Sequence, residues 1–345
     1  MGADAGPKVV VDGAEITRVR CPDVRFLMFG DRSKIEPLLE EHPELKAVSD
    51  VRHSDSFVSM EDKPAQAIRK GRNTSMWHAI GAVQKGEADV VVSAGNTGAL
   101  MAMAKIQLRT MAGVDRPAIA ALWPTERGES VVLDVGANVD SDERQLVTFA
   151  IMGEAFARAV FGLKRPLVGV LNIGSEELKG NDAVKGAAQI LQDADLPIKF
   201  YGFVEGNDIG AGTVDVVVTD GFTGNVALKT AEGTARLISH YLSTAIRRSF
   251  FARIGYLLAA GAFNVLRAKM DPRSVNGGVF LGLNGLVVKS HGGTDEMGMA
   301  SAIELAHNMI SHDLVKKIEQ DVTHLYGTDD AVTPLAPAAN NEVSA

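Results

Sequence analysis

Eight short runs of valine, isoleucine and leucine recur along the chain, at Val24 to Phe29, Asp89 to Val92, Ala118 to Leu122, Val131 to Val135, Leu167 to Ile173, Ile198 to Val204, Asp215 to Val218 and Leu286 to Lys289. Runs this short and this continuous read as strands covered on both faces. Helical patterns lie between most of them, at Ser75 to Gln84, Ala99 to Arg109, Glu143 to Val160, Asn181 to Leu191, Val226 to Ser243 and Met297 to Leu325. Alternation of buried strands with helices predicts an α/β/α sandwich around a mostly parallel sheet. Glycine makes up 35 of 345 residues, about 10% against a usual value near 7%. The excess follows the strands, in Ser93 to Gly98, Val135 to Asn138, Ile173-Gly174, Asp220 to Gly224 and His291 to Gly293. Ligands of such sheets sit at strand carboxyl ends, so these turns are expected to gather at one edge.

Composition narrows the partners. Formal charge is −8 and 46% of residues are hydrophobic, which gives the whole chain no electrostatic footprint for nucleic acid. The single cysteine, Cys21, permits no internal disulfide and no multi-cysteine metal site. Neither a secretory signal nor an apolar run of spanning length is visible, so a cytoplasmic protein is expected. Residues 1–325 read as one catalytic domain and 326–345 as a flexible tail. Within the domain, Arg247 to Lys269 carries five cations and no acid. Its apolar residues fall near one helical face, an amphipathic excursion over about 247–270 suited to an interface or a membrane surface.

A glycine turn that opens a helix presents close-approaching N–H groups and a partial positive charge, and its natural ligand is an anion. Here the spacings match neither the dinucleotide-binding G-x-G-x-x-G nor the P-loop. The frame D-V-V-V-[S/T]-x-G-x-T-G appears twice, from Asp89 and from Asp215. It is either convergence on one strand-turn-helix solution or a pair of anion-receiving turns facing one crevice. Lys179 and Lys229 follow two of the turns and Lys289 precedes a third; lysine supplies the point charge used for phosphate, although lysines near loops are often only solvated. Asn96, Asn138, Asn172, Asn181 and Asn225 bring amides to the same turns. His291 is the histidine to suspect. No G-x-S-x-G elbow and no H-x-x-x-H pair is present, which disfavours an acyl-enzyme or a zinc hydrolase. Lys63, Arg69, Lys70 and Arg72 form a basic set that either receives an acidic partner or is a solvated face.

Taken in order, Lys63 to Met76, Val92 to Met101, Leu133 to Asp140, Leu171 to Gly174 with Lys179 to Asn181, Asp220 to Asn225 and Leu281 to Gly285 resemble the bacterial phosphate acyltransferases of phospholipid synthesis, the PlsX family. The resemblance runs from about Met1 to Leu325. It implies a fold like isocitrate and isopropylmalate dehydrogenases and phosphotransacetylases, a homodimer, and loose association with the inner face of the membrane. The implied reaction converts acyl-[acyl carrier protein] and inorganic phosphate to acyl phosphate and free carrier protein, for use by a membrane glycerol-3-phosphate acyltransferase in glycerolipid synthesis. It calls for no cofactor and no metal. In the family a short strand leads into a Met-Gly-Gly-Asp-x-x-Pro turn. This sequence opens inside that motif, as Met1-Gly-Ala-Asp-Ala-Gly-Pro7, so a strand ahead of Met1 is expected.

For that reaction phosphate is itself the nucleophile, and the protein has only to place two reactants and stabilise an oxyanion. The turns Gly95, Asn96, Thr97, Gly98 and Gly221, Thr223, Gly224, Asn225 are expected to hold phosphate with Lys179 or Lys229. Asn138, Asn181 or His291 is expected to meet the thioester carbonyl. Contact with carrier protein or membrane is expected from Lys63, Arg69, Lys70 and Arg72 and from Arg247, Arg248, Arg253, Leu257 and Leu258. Two other functions share these features: a phosphotransacylase using acyl-CoA, and an NAD(P)-dependent, metal-requiring dehydrogenase of the same fold.

Overall fold

The computed structural model describes residues 1–2, 4, 6–193, 198–263 and 277–326. Strands β1 (Phe26–Gly30) and β2 (Ser49–His53) pair in parallel as a separate ribbon. The central sheet comprises β3 (Val90–Ser93), β4 (Ala118–Thr125), β5 (Gly128–Leu133), β6 (Leu167–Leu171), β7 (Lys199–Val204), β8 (Val216–Val218), β9 (Gly278–Leu281) and β10 (Leu286–Lys289), in the order β3-β10-β9-β4-β5-β8-β6-β7. The helices are α1 (Gly6–Arg20), α2 (Arg32–Glu40), α3 (Pro43–Ala47), α4 (Pro64–Lys70), α5 (Ser75–Gln84), α6 (Thr97–Leu108), α7 (Glu143–Phe161), α8 (Asp182–Asp193), α9 (Gly206–Ala211), α10 (Gly221–Arg248), α11 (Phe250–Leu258), α12 (Glu296–Ser311) and α13 (Leu314–Tyr326).

The layers follow from the two-residue period of a strand. Leu133, Val216, Val218, Val279, Leu281 and Val288 enter one core with Phe149, Met152 and Phe156 of α7. Their neighbours Val132, Val217, Phe280 and Val287 enter the other, with Ile80 of α5 and Leu100 and Met103 of α6. Both sheet faces are therefore covered, which is why the runs are apolar throughout. The α/β/α sandwich is present, with a mostly parallel sheet.

Strand direction corrects one expectation. The two-residue loop between β4 and β5 makes them an antiparallel hairpin, and β9 runs antiparallel to both β10 and β4. As a result β3, β10 and β4 point one way and β9, β5, β8, β6 and β7 the other. The glycine turns after β3 and β10 leave one edge of the sheet, and those after β5, β6 and β8 leave the opposite one. The two D-V-V-V frames do build the same unit twice, a strand and a side-chain-capped helix, but in opposite orientations.

Between β1 and β3 lies a cavity of about 810 Å³, lined by residues 23–29 and 87–95 and walled by α1, α5 and α12. Met1 lies at one end, its side chain against Gly30 at the close of β1. An extended segment joined ahead of Met1 and running between the two strands is expected to raise the melting temperature by roughly 5 °C. Differential scanning calorimetry of chains carrying a six-residue valine-isoleucine extension, or a proline-containing one of equal length, checks this: only the first should stabilise. The expected tail lies outside the described residues apart from its first residue, Tyr326, which ends α13, as does the part of the amphipathic excursion beyond residue 263.

Candidate active site

The turn after β5 is organised by one carboxylate. Asp134 is fully buried, and its Oδ1 accepts from the N–H groups of Ile119, Gly136 and Ala137 at 3.0–3.1 Å. Its Oδ2 accepts from the Asn138 N–H at 2.7 Å and from Asn138 Nδ2 at 2.9 Å. Burial pushes this carboxyl up, opposed by the N–H groups of Ala137, Ile119 and Asn138 and by the Asn138 amide. The Leu133–Asp134 peptide is cis.

Helix α10 starts directly on this turn. Asp220 caps it by accepting from the Thr223 N–H at 2.8 Å and the Thr223 hydroxyl at 2.7 Å. Gly221 and Gly224 are there because nothing larger fits: a Cβ on Gly221 would stand 2.4 Å from the Asn138 carbonyl oxygen, and one on Gly224 would stand 2.0 Å from that of Asp134. Asn225 lies over Gly136, which has a φ of +133°, and among the described residues no hydrogen bond engages its side chain.

The turns after β3 and β10 meet each other and the start of the chain. The Cβ position of Gly292 is 3.1 Å from Asp4 Oδ2 and 3.7 Å from the Ala94 carbonyl oxygen. Asn96 caps α6 through the Ala99 N–H at 3.0 Å, while its Nδ2 donates to the carbonyls of Met60 and Asp62 at 2.9 Å. Thr97 and Gly98 open that helix, and the Cβ position of Gly98 is 2.7 Å from Pro64 Cγ. Lys63 precedes α4, Arg69 and Lys70 end it, and Arg72 follows in a short 3₁₀ turn; Lys63, Arg69 and Arg72 are exposed beside the Gly98 turn.

Helix α10 joins the two groups. Lys229 is five residues beyond Gly224, about 7.5 Å along the axis, and its charge reaches both Lys289 and His291. It is exposed and paired with Glu232 at 2.9 Å. Partial desolvation first, then Lys229, lowers the His291 imidazole. The turns therefore do not gather at one sheet edge: those at Gly95 and His291 meet at one, the Asp134 turn and the start of α10 lie at the other, and α10 brings Lys229 within charge range of Lys289 and His291.

The remaining residues stand apart. Lys179 is exposed and paired with Glu176 at 2.7 Å, and its other charge neighbour is Glu205. Asn181 caps α8 through the Val184 N–H, and Asn172 bonds the Lys179 carbonyl at 3.0 Å. Asn138, expected at a carbonyl, spends both amide protons on Asp134 Oδ2 and the Pro117 carbonyl; its part here is to hold the turn. The free amide in that place is that of Asn225. Asp4 was not singled out by its spacing, since only the folded chain carries it to Gly292.

The fold is that of the phosphotransacylases. A phosphotransacetylase of Streptococcus pyogenes superposes with a TM-score of 0.58 at 17% identity over 92% of both chains. A branched-chain phosphotransacylase of Enterococcus faecalis gives 0.53 at 14% identity, over 84% of this chain and all of the other. Residues 1–317 match the family described as fatty acid synthesis protein. The chain is 63% identical to the phosphate acyltransferase of Parvibaculum lavamentivorans over 95% of its own length and 91% of the relative's. With that of Agrobacterium fabrum it shares 59% identity over 98% and 96%. The chain belongs to the phosphate acyltransferase family, and its activity is that of an acyltransferase.

Proposed function

We propose that the enzyme moves an acyl group from the thioester of acyl carrier protein onto inorganic phosphate, giving acyl phosphate and free carrier thiol for glycerolipid synthesis. The observation that supports this reading is that α10 carries Lys229 to Lys289 and His291 while its start, with the free Asn225 amide, sits on the Asp134 turn; we read the space among these groups as one crevice. The phosphate dianion brings its own nucleophilic oxygen. It attacks the thioester carbon, the C–S bond breaks, and the proton released by phosphate ends on the thiolate, whose pKa near 8.5 makes it a good leaving group. Lys229, the turn at Gly95 to Gly98 and the start of α10 receive phosphate, and Asn225 and His291 face the carbonyl. Rates measured while both substrates are varied should follow a sequential pattern; ping-pong kinetics with an acyl-enzyme burst would contradict direct attack. Lys229→Ala is expected to raise the phosphate KM by about tenfold. Lys179→Ala, outside the crevice, should change it by less than about threefold.

The exposed cations Lys63, Arg69 and Arg72 beside the Gly98 turn suit an acidic carrier protein. Beyond its first turns α10 leaves the core, and Leu237, Ile238, Tyr241 and Leu242 remain uncovered along it. These suit a second copy of the chain, giving a homodimer. Helix α11 buries no residue; Phe251 is 82% exposed and Leu258 85%, beside Arg247, Arg248 and Arg253. Apolar residues next to cations suit the surface of an anionic bilayer. Among the described residues no helix is long and apolar enough to cross a membrane. Leu257→Glu with Leu258→Glu is expected to abolish flotation with anionic liposomes while leaving activity in solution intact; unchanged flotation would remove the membrane contact.

A further inference from the structure

Lys289 differs from the other two lysines of the turns. It ends β10 next to the crevice, and the strand period turns its side chain to the same sheet face as Val287 and Phe280, the face on which α10 lies. Its amine donates to the Ser290 carbonyl, and among the described residues no carboxylate forms an ion pair with it. The groups it faces are Asp4 from the chain start and Lys229 from α10. The adjoining His291 also faces Glu232 and Arg236. A cation withdrawn from water without a close counter-ion is costly, and an incoming anion offsets that cost.

We propose that Lys289 is the principal phosphate-binding cation of the crevice, with Asp4 as its counter-charge when phosphate is absent. This rests on reading the crevice as the place where phosphate attacks. Exposed lysines such as Lys229, already paired with Glu232, attract anions from solvent; Lys289, half-buried at the end of β10 and without an ion pair among the described residues, holds one in place. Asp4 then sets the selectivity. A dianion outcompetes one carboxylate for the amine, whereas a monoanion gains little by replacing it. Burial lowers the Lys289 ammonium to about 8, opposed by Asp4 and reinforced by Lys229. Phosphate binding should therefore weaken as pH rises through that value.

The test uses the intact chain, inorganic phosphate and the substitutions Lys289→Met and Lys289→Arg. Replacing a half-buried charge by methionine is compatible with folding, and the arginine variant keeps the charge at every working pH. Phosphate alone, against sodium chloride of equal ionic strength, should raise the melting temperature of the wild type and of Lys289→Arg but not of Lys289→Met. In turnover, Lys289→Met should raise the phosphate KM by about tenfold or more, leaving the thioester KM unchanged. The wild-type phosphate KM should climb above pH 8 while that of Lys289→Arg stays flat. A Lys289→Met protein that keeps both the phosphate-induced shift and the phosphate KM overturns the proposal. If phosphate binding is lost in Lys289→Met but the wild type forms no acyl phosphate, the anion site stands and the acyl-transfer reading falls.

Discussion

Asp134→Ala is expected to destabilise the protein by about 3–5 kcal/mol and to abolish activity. The carboxylate accepts from the backbone N–H groups of four residues, Ile119, Gly136, Ala137 and Asn138. Removing it strands the buried N–H groups of Ile119 and Asn138, each costing about 1–3 kcal/mol, while water recovers part of the loss at the exposed Gly136 and half-buried Ala137. The Asn138 amide also loses a partner, and the turn on which α10 starts has nothing left to define it. Asp134→Asn keeps one acceptor oxygen and should lose roughly half as much. Urea denaturation of the two variants checks the order. Equal stability of Asp134→Ala and wild type would show that the turn holds without its carboxylate.

Gly224→Ala should separate activity from stability. One methyl group at this position would lie 2.0 Å from the Asp134 carbonyl oxygen, so the first turn of α10 has to move away from the crevice. A displacement near 1 Å of groups that position reactants costs about 100-fold in rate, and kcat should fall by that order. The melting temperature should fall by only a few degrees, because Gly221 and Gly224 are the buried residues of α10. Gly233, in the same helix, has open space around it; Gly233→Ala should retain activity and gain about 0.5–1 kcal/mol. A fully active Gly224→Ala enzyme would show that α10 need not dock on the Asp134 turn.

What the sequence discloses and what it withholds divides along physical lines. Helix α5 and strand β10 lie where periodicity places them, because a capped amphipathic pattern and an apolar run are local properties. Helix α1 has no such local signature. Its three consecutive valines and Gly13 make a poor helical signal, and the helix forms by docking on α12, where the Cβ position of Gly13 is 2.7 Å from the Met299 side chain. Strand β9, four residues long and preceded by glycine, is equally weak as a sequence signal. The expected helix from Met297 to Leu325 is interrupted at Asp313, which adopts a φ of +51°. Strand direction is the larger omission. An apolar run has no arrow, and only the β4–β5 hairpin and β9 reveal that the glycine turns leave opposite edges.

The site shows the same division. Glycine, lysine and asparagine at strand ends point to an anion site, and in the fold the Gly95 and His291 turns meet each other while the Asp134 turn receives the start of α10. Which amide remains free is a tertiary property: Asn96 and Asn138 are consumed by neighbouring loops, and Asn225 is not. Lys179 and Lys229 are equally near glycine turns in sequence, yet only Lys229 is carried to His291.

The most direct measurement follows both products of one reaction. The protein is incubated with palmitoyl carrier protein with and without inorganic phosphate, and free carrier thiol and hydroxylamine-trapped acyl phosphate are quantified together. Direct attack predicts that both appear in equal amounts and only when phosphate is present. Thiol released without phosphate, or no acyl phosphate under any phosphate concentration, would contradict it.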